Sequence, residues 1–368
     1  MRALALVILA VLSGCAAPRR SNPAENLTKL QAALQSADAA ARAKAAWDLG
    51  QLGLAEIPEG APESAVSISL REAAATALIP VVFDPEAPVR RAAIEGLGKT
   101  GGITIEDTLI SAGTDVDAGV RGEVALALFR RRFLKRVPEY STASLNKLLT
   151  LAVDSDAEVR WRAIYAFSRF PDERAAKTLT QSVKDPDKVT RLFAVRSLSK
   201  LGRSVDVSLT SDPDLYVRAE AAAAFGAAKA AGELPSSVYA DPSAHVRAAV
   251  ADAVSATGDP ALAARLEKMA DQDSPMPRGR ALIALAKLRG GVESSRLERA
   301  RKDPQWWIRS KAYEASAFLP DSAAILAAGV ADPDTRVAAQ ALETLAASTA
   351  PLAAVAIETV LRDPKAQL

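Results

Sequence analysis

The sequence predicts an all-α fold, a stacked array of about ten helix pairs. Three observations lead there. Hydrophobic residues make up 49% of the 368-residue chain but aromatics only 5%, so alanine carries much of the apolar content. Alanine is the best helix former and has little preference for strands. An Asp followed six residues later by an Arg also recurs along the chain, with anchors at 42, 90, 121, 160, 191, 218, 247, 278, 309 and 338 and a period near 31. Around each anchor, apolar residues return at the spacing of one helix face.

The chain opens with MRALALVILAVLSGCAAPRRSNPAEN. Arg2 is a short positive region, and Ala3–Val11 is an apolar run below the roughly 20 residues that span a bilayer, the pattern of a secretory signal. Leu12-Ser13-Gly14-Cys15 then resembles the bacterial lipobox, and the single Cys of the chain falls where that motif requires one. The resemblance implies cleavage after Gly14 and acylation of Cys15. Ala16, rather than Asp, follows the Cys, which implies sorting to the outer membrane. Residues 1–14 are then a signal peptide, 15–27 an acylated Cys with a polar tether, and 28–368 the repeat array.

The repeated stretch reads DPEAPVR at 84, DVDAGVR at 115, DSDAEVR at 154, DPDKVTR at 185, DPDLYVR at 212, DPSAHVR at 241 and DPQWWIR at 303. A degenerate copy, SADAAAR, starts at 36; a slipped one, DQDSPMPR, at 271; and the last, DPDTRVA at 332, has lost its Arg. Asp suits a helix start, where it accepts bonds from free N–H groups, and Pro just after it has no N–H to leave unpaired. Val89, Ala92, Ala93, Gly96 and Leu97 form the apolar stripe of the first helix. The glycine after it is expected to supply a left-handed stop. A second helix follows in each copy: from 144, 173, 259 and 351, with short ones after RSVD and ELPSS. Such a pair cannot bury its face alone, and stacking on neighbours completes the core.

The pattern DPxxxVRxxAxxALGxxG resembles HEAT repeats, specifically the short bacterial type also found in phycobilisome lyases. The resemblance runs over roughly residues 28–362 and implies an α-α superhelix, a HEAT-repeat solenoid, that serves protein–protein interaction. It also implies that the first-helix Arg reaches the Asp of the adjacent repeat, so Arg90, Arg121, Arg160, Arg191, Arg218, Arg247 and Arg309 would form a structural ladder.

Catalytic and metal-binding constellations are not expected. One His and one Cys exclude most His/Cys metal sites, an internal disulfide and the His-Glu pairs of the HEAT metalloenzyme deoxyhypusine hydroxylase. His245 occupies the variable slot that holds Pro88, Glu158 and Trp307 in other copies. AAIEGLGKTGG (92–102) fits a loose P-loop, but by repeat alignment Gly98-Lys99-Thr100 ends a helix, where carbonyls would repel phosphate. Neither nucleotide nor any cofactor is expected. The formal net charge of +2 gives no field that would favour nucleic acid.

Candidate protein-binding residues are Trp306 and Trp307, of which at least one should face solvent, and Arg130, Arg131 and Arg132 in FRRRFLKR. The Pro/Gly/Glu insertion at 54–68 is read as a surface loop that could line a binding face. At the C-terminus, Asp363-Pro364 opens an eleventh unit that stops at Leu368. The expectation is a lipid-anchored scaffold of the cell envelope, non-enzymatic, facing the periplasm or the cell surface. The alternatives are the scaffold portion of a HEAT-repeat prolyl isomerase, whose cyclophilin domain this chain lacks, and a lyase-like HEAT protein with a pigment-sized apolar pocket.

Overall fold

The computed structural model describes residues 23–54, 65–347 and 358. The expected signal peptide and lipobox, most of the 54–68 insertion, and the second helix expected from 351 with the eleventh unit lie outside the described residues, Glu358 apart. Among the described residues the regular structure is entirely α- or 3-10-helical. The architecture is an α-α solenoid, and the chain divides into two compact units, Met1–Ala166 and Phe167–Leu368.

In the first unit, the helices Ala39–Gln51, Ala87–Thr100 and Ala118–Phe133 are the first helices of successive repeats. Small residues let them approach closely. A Cβ built on Gly50 would lie 2.6 Å from the Cα of Gly96, and one on Gly98 would lie 2.7 Å from the Cα of Ala127. These two glycines therefore serve helix contact, not the left-handed stop expected from sequence. Gly98 lies inside its helix, and Gly101 after it has φ −80°. The left-handed stop does occur in the second unit, at Gly202 (φ 68°) and Gly258 (φ 79°).

The second unit repeats the scheme with Lys188–Lys200, Leu215–Ala227, Ala244–Thr257, Pro275–Arg289, Trp306–Ser316 and Thr335–Ala347 as first helices. Its core joins Phe225, Val250, Val254, Leu262, Leu266, Leu282, Leu285 and Ile308, each at most 6% exposed. The short second elements after RSVD and ELPSS are single 3-10 helices, Val207–Ser211 and Ser236–Ala240. With so few residues between anchors, the chain has room for little more than one turn.

Two expectations are corrected. Residues 23–27, read as tether, belong to the helix Pro23–Ala33. The Asp that opens each repeat does not cap the first helix. Asp115 folds back on itself, accepting the N–H of Asp117 at 2.8 Å. Asp117 is the cap, accepting the N–H of Val120 at 2.9 Å. Asp187 and Asp214 cap their helices in the same way. The opening Asp is thereby left with its carboxylate turned to another task.

Candidate functional site

That task is the ladder. In the first unit, Arg90 grips Asp115 through Nε (2.7 Å) and Nη2 (2.8 Å), while its Nη1 donates to the carbonyls of Asp84 and Pro85, both at 2.9 Å. Arg121 binds Asp154 through the same two nitrogens at 2.7 and 2.8 Å. In the second unit Arg191 holds Asp212, Arg218 holds Asp241, Arg247 holds Asp273 and Arg309 holds Asp332, with Nε–Oδ2 distances of 2.7–2.8 Å. Each arginine thus closes the turn before its own helix and clamps the opening turn of the next repeat. The planar fork of Arg suits such two-point contact. Arg160 donates to the carbonyls of Asp154 and Ser155.

The fork favours the ionised form of Asp84, Asp115, Asp154, Asp241 and Asp273. The bond from Arg42 keeps the Asp84 carboxyl below its ordinary value. At Asp115, burial pushes upward, but the bond from Arg90 and the N–H of Asp117 more than cancel it, so the net direction is down. The balance at Asp241 and Asp273 is the same. Two rungs were missing from the sequence-derived set. Arg42 holds Asp84 at 2.7 Å and Arg278 holds Asp303 at 2.7 Å. Both sit at anchors of irregular copies, so the anchor position was legible; Ser36 in place of the opening Asp concealed the role of Arg42, and the shifted spacing from Asp271 that of Arg278.

The arginine run ending Ala118–Phe133 is turned largely inward. Arg131 is 2% exposed and donates to the carbonyl of Gly102 at 2.8 Å. It is therefore corrected from a surface contact to a buried tie. Arg130 pairs with Glu123, and the Arg132 guanidinium lies 4.9 Å from the ring centre of Tyr140. Arg136 reaches the carbonyl of Gly53 at 2.6 Å. The P-loop-like stretch sits at a helix C-terminus, where Arg71 donates to the Thr100 carbonyl at 2.8 Å. Lys99 is buried, paired with Glu95 at 2.6 Å. A phosphate would meet carbonyls there, not N–H groups.

Neither Trp306 nor Trp307 is fully exposed; both are half-buried, their rings edge to face at 5.7 Å. The two rings are held by different partners. Lys311 lies 4.8 Å from the Trp307 ring, and Trp307 packs on the core of the second unit. The Trp306 ring carries the Arg336 guanidinium at 3.7 Å. Arg336 stands two residues before Ala338, the position where the ladder arginine is lost.

The slot two residues before the ladder anchor forms a row in the second unit: Tyr216, His245, Met276 and Trp307 on successive first helices. Tyr216 is 54% and Met276 45% exposed, and the rings of Tyr216 and His245 meet edge to face at 5.6 Å. The sequence showed this slot as variable. What it concealed is that four consecutive copies fill it with aromatic or thioether side chains, where the first unit has Ala40, Pro88, Gly119 and Glu158. Among the described residues no group of three or more His, Cys, Asp or Glu could hold a metal ion. No helix among them is long and apolar enough to cross a membrane. The cavities include one of about 370 Å³ beside Tyr239 and one of about 290 Å³ beside Arg296, both lined by charged side chains.

Stacked helix pairs joined by an Arg–Asp ladder define an α-α solenoid of helical repeats. Residues 145–209 and 207–286 match the family model of the HEAT repeats. No curated protein sequence matches the chain. Among solved structures, an engineered protein is 17% identical over 92% of this chain and 95% of its own, at a TM-score of 0.45. A designed armadillo repeat protein, solved with a (KR)4 peptide, is 17% identical over 63% of this chain and 99% of its own, at a TM-score of 0.39.

Proposed function

We propose that the chain is an exported, lipid-anchored scaffold that binds a protein partner across the first helices of its second unit. The observation that carries the binding reading is the row Tyr216, His245, Met276 and Trp307. Solvent-facing Tyr and Met cost apolar exposure and contribute little to packing, while Tyr and Trp dominate binding hot spots. Met adds a surface that adapts to its partner. The ladder leaves this face alone, since its arginines are spent on the turns. Replacing Tyr216 and Met276 together with Ala should weaken capture of a crosslinked envelope partner about tenfold or more, with an unchanged melting temperature. Capture equal to that of the wild type would remove the row from the binding surface.

Anchoring rests on the Leu12–Cys15 motif. Acylation at Cys15 would supply the several chains that stable attachment needs. Cys15→Ser should shift the protein from the membrane fraction to the soluble fraction. Retention of the Ser variant in membranes would remove the lipid anchor from the reading.

A further inference from the structure

The cavity of about 370 Å³ is lined by Tyr239, Arg247, Arg265, Lys268, Met269 and Asp273, with Ala240 and Gln272 at its sides. Its charges do not balance internally. Arg247 and Asp273 neutralise each other as a ladder rung. Among the described residues, the acids nearest in sequence to Arg265 and Lys268 are committed elsewhere: Glu267 to Arg289, and Asp271 to Arg296. Arg265 makes two long bonds, 3.4 Å each, to the carbonyls of Gly232 and Leu234, and its guanidinium lies 5.9 Å from the Tyr239 ring centre. Two exposed cations without a carboxylate therefore stand at the cavity. The Tyr239 hydroxyl is buried and bonds no protein group. Met269, 4% exposed, supplies an apolar floor.

We propose that this cavity is a carboxylate-binding subsite, and that its occupant is an acidic side chain of the scaffold's protein partner. The chemistry fits in three respects. A carboxylate accepts from Arg and Lys at once, and charge-assisted bonds are the strong ones. It also accepts a hydrogen bond from the Tyr239 hydroxyl, which has no protein acceptor. Met269 and the Tyr239 ring can hold the methylenes of a Glu side chain. The subsite rests on the scaffold reading but names the recognition chemistry of a separate set of side chains.

The probe is an acetylated hexa-glutamate peptide, with hexa-glutamine as its neutral counterpart, titrated calorimetrically against the full chain in 0.15 M salt. The glutamate peptide should bind at least about tenfold more tightly than the glutamine peptide. Joint replacement of Arg265 and Lys268 by Gln should weaken that binding about tenfold or more, and Tyr239→Phe about threefold or more. Lys135→Gln, a cation of the other unit, should leave it unchanged. Circular dichroism and melting of each variant separate a lost site from a lost fold. The proposal is overturned if the wild type fails to bind at millimolar peptide, or if the Arg265/Lys268 variant binds as the wild type does. Displacement of the peptide by an equal concentration of inorganic phosphate or acetate would identify a free anion as the occupant and overturn the partner assignment. Envelope crosslinking of the Arg265/Lys268 variant to the same partner as the wild type, with equal yield, would remove this subsite and leave the scaffold reading standing.

Discussion

At the scale of the residue, the ladder arginine does more than form a surface ion pair. Arg218 makes two bonds to Asp241, at 2.8 and 3.0 Å, and two to the carbonyls of Asp212 and Pro213, with side-chain exposures of 14% for Arg218 and 6% for Asp241. Exposed pairs are worth about 0–1 kcal/mol, but a partly buried acceptor left without its donor costs about 1–3 kcal/mol. Arg218→Ala should therefore destabilise by about 2–3 kcal/mol in urea unfolding, and Arg218→Lys should recover only part of that, since an ammonium cannot fork. A loss below about 0.5 kcal/mol would reduce the rung to decoration. The aspartates add a pH dependence. The carboxyls of Asp84, Asp115, Asp154, Asp241 and Asp273 are all lowered in the fold. Their contribution is fully present above the unfolded carboxylate value of about 4 and is lost as pH falls through the lower folded values. Urea midpoints should be flat from pH 7 to about 5 and fall below about 4. A midpoint that holds at pH 3 would contradict the ladder's role.

At the scale of the element, the contrast between Gly98 and Gly202 separates two uses of glycine that look alike in sequence. Gly98 lets one helix pass 2.7 Å from where its Cβ would meet Ala127, whereas Gly202 has open space but a φ of 68°. Gly98→Ala should cost about 1–3 kcal/mol through overpacking. Gly202→Ala should cost about 1 kcal/mol through backbone strain. Differential scanning of the two variants tests the order. The helices, their apolar stripes and the repeat boundaries were legible in the sequence because period and spacing carry them. The rungs at Arg90, Arg121, Arg191, Arg218, Arg247 and Arg309 could be placed because Asp and Arg keep one spacing there. The capping role of Asp117, Asp187 and Asp214 was not, because two aspartates two residues apart look equivalent until the turn fixes which faces the helix N–H groups. The burial of Arg131 was hidden for the same kind of reason, since the depth of a helix end depends on the neighbouring turn at Gly102. The row of Tyr216, His245, Met276 and Trp307 lay in a slot that single copies show only as variable, and its coherence emerges when successive helices stand side by side.

At the scale of the whole molecule, the second unit divides labour between two kinds of surface. The turn edge is committed to ion pairs that fix repeat register, while the first-helix face of the second unit keeps Tyr216 and Met276 exposed, outside the packed core. With a formal net charge of +2, association is governed by local chemistry instead of a long-range field. Partner binding through that face is the central claim, and it is tested most directly by a photo-reactive phenylalanine analogue placed at position 216 or 276, with position 116 as a control: Val116 is exposed and its carbonyl accepts from the ladder residue Arg121 at 3.1 Å. Irradiation of the native envelope should crosslink one partner from 216 and from 276 and none from 116; equal yields at all three positions, or none at 216 and 276, would contradict it.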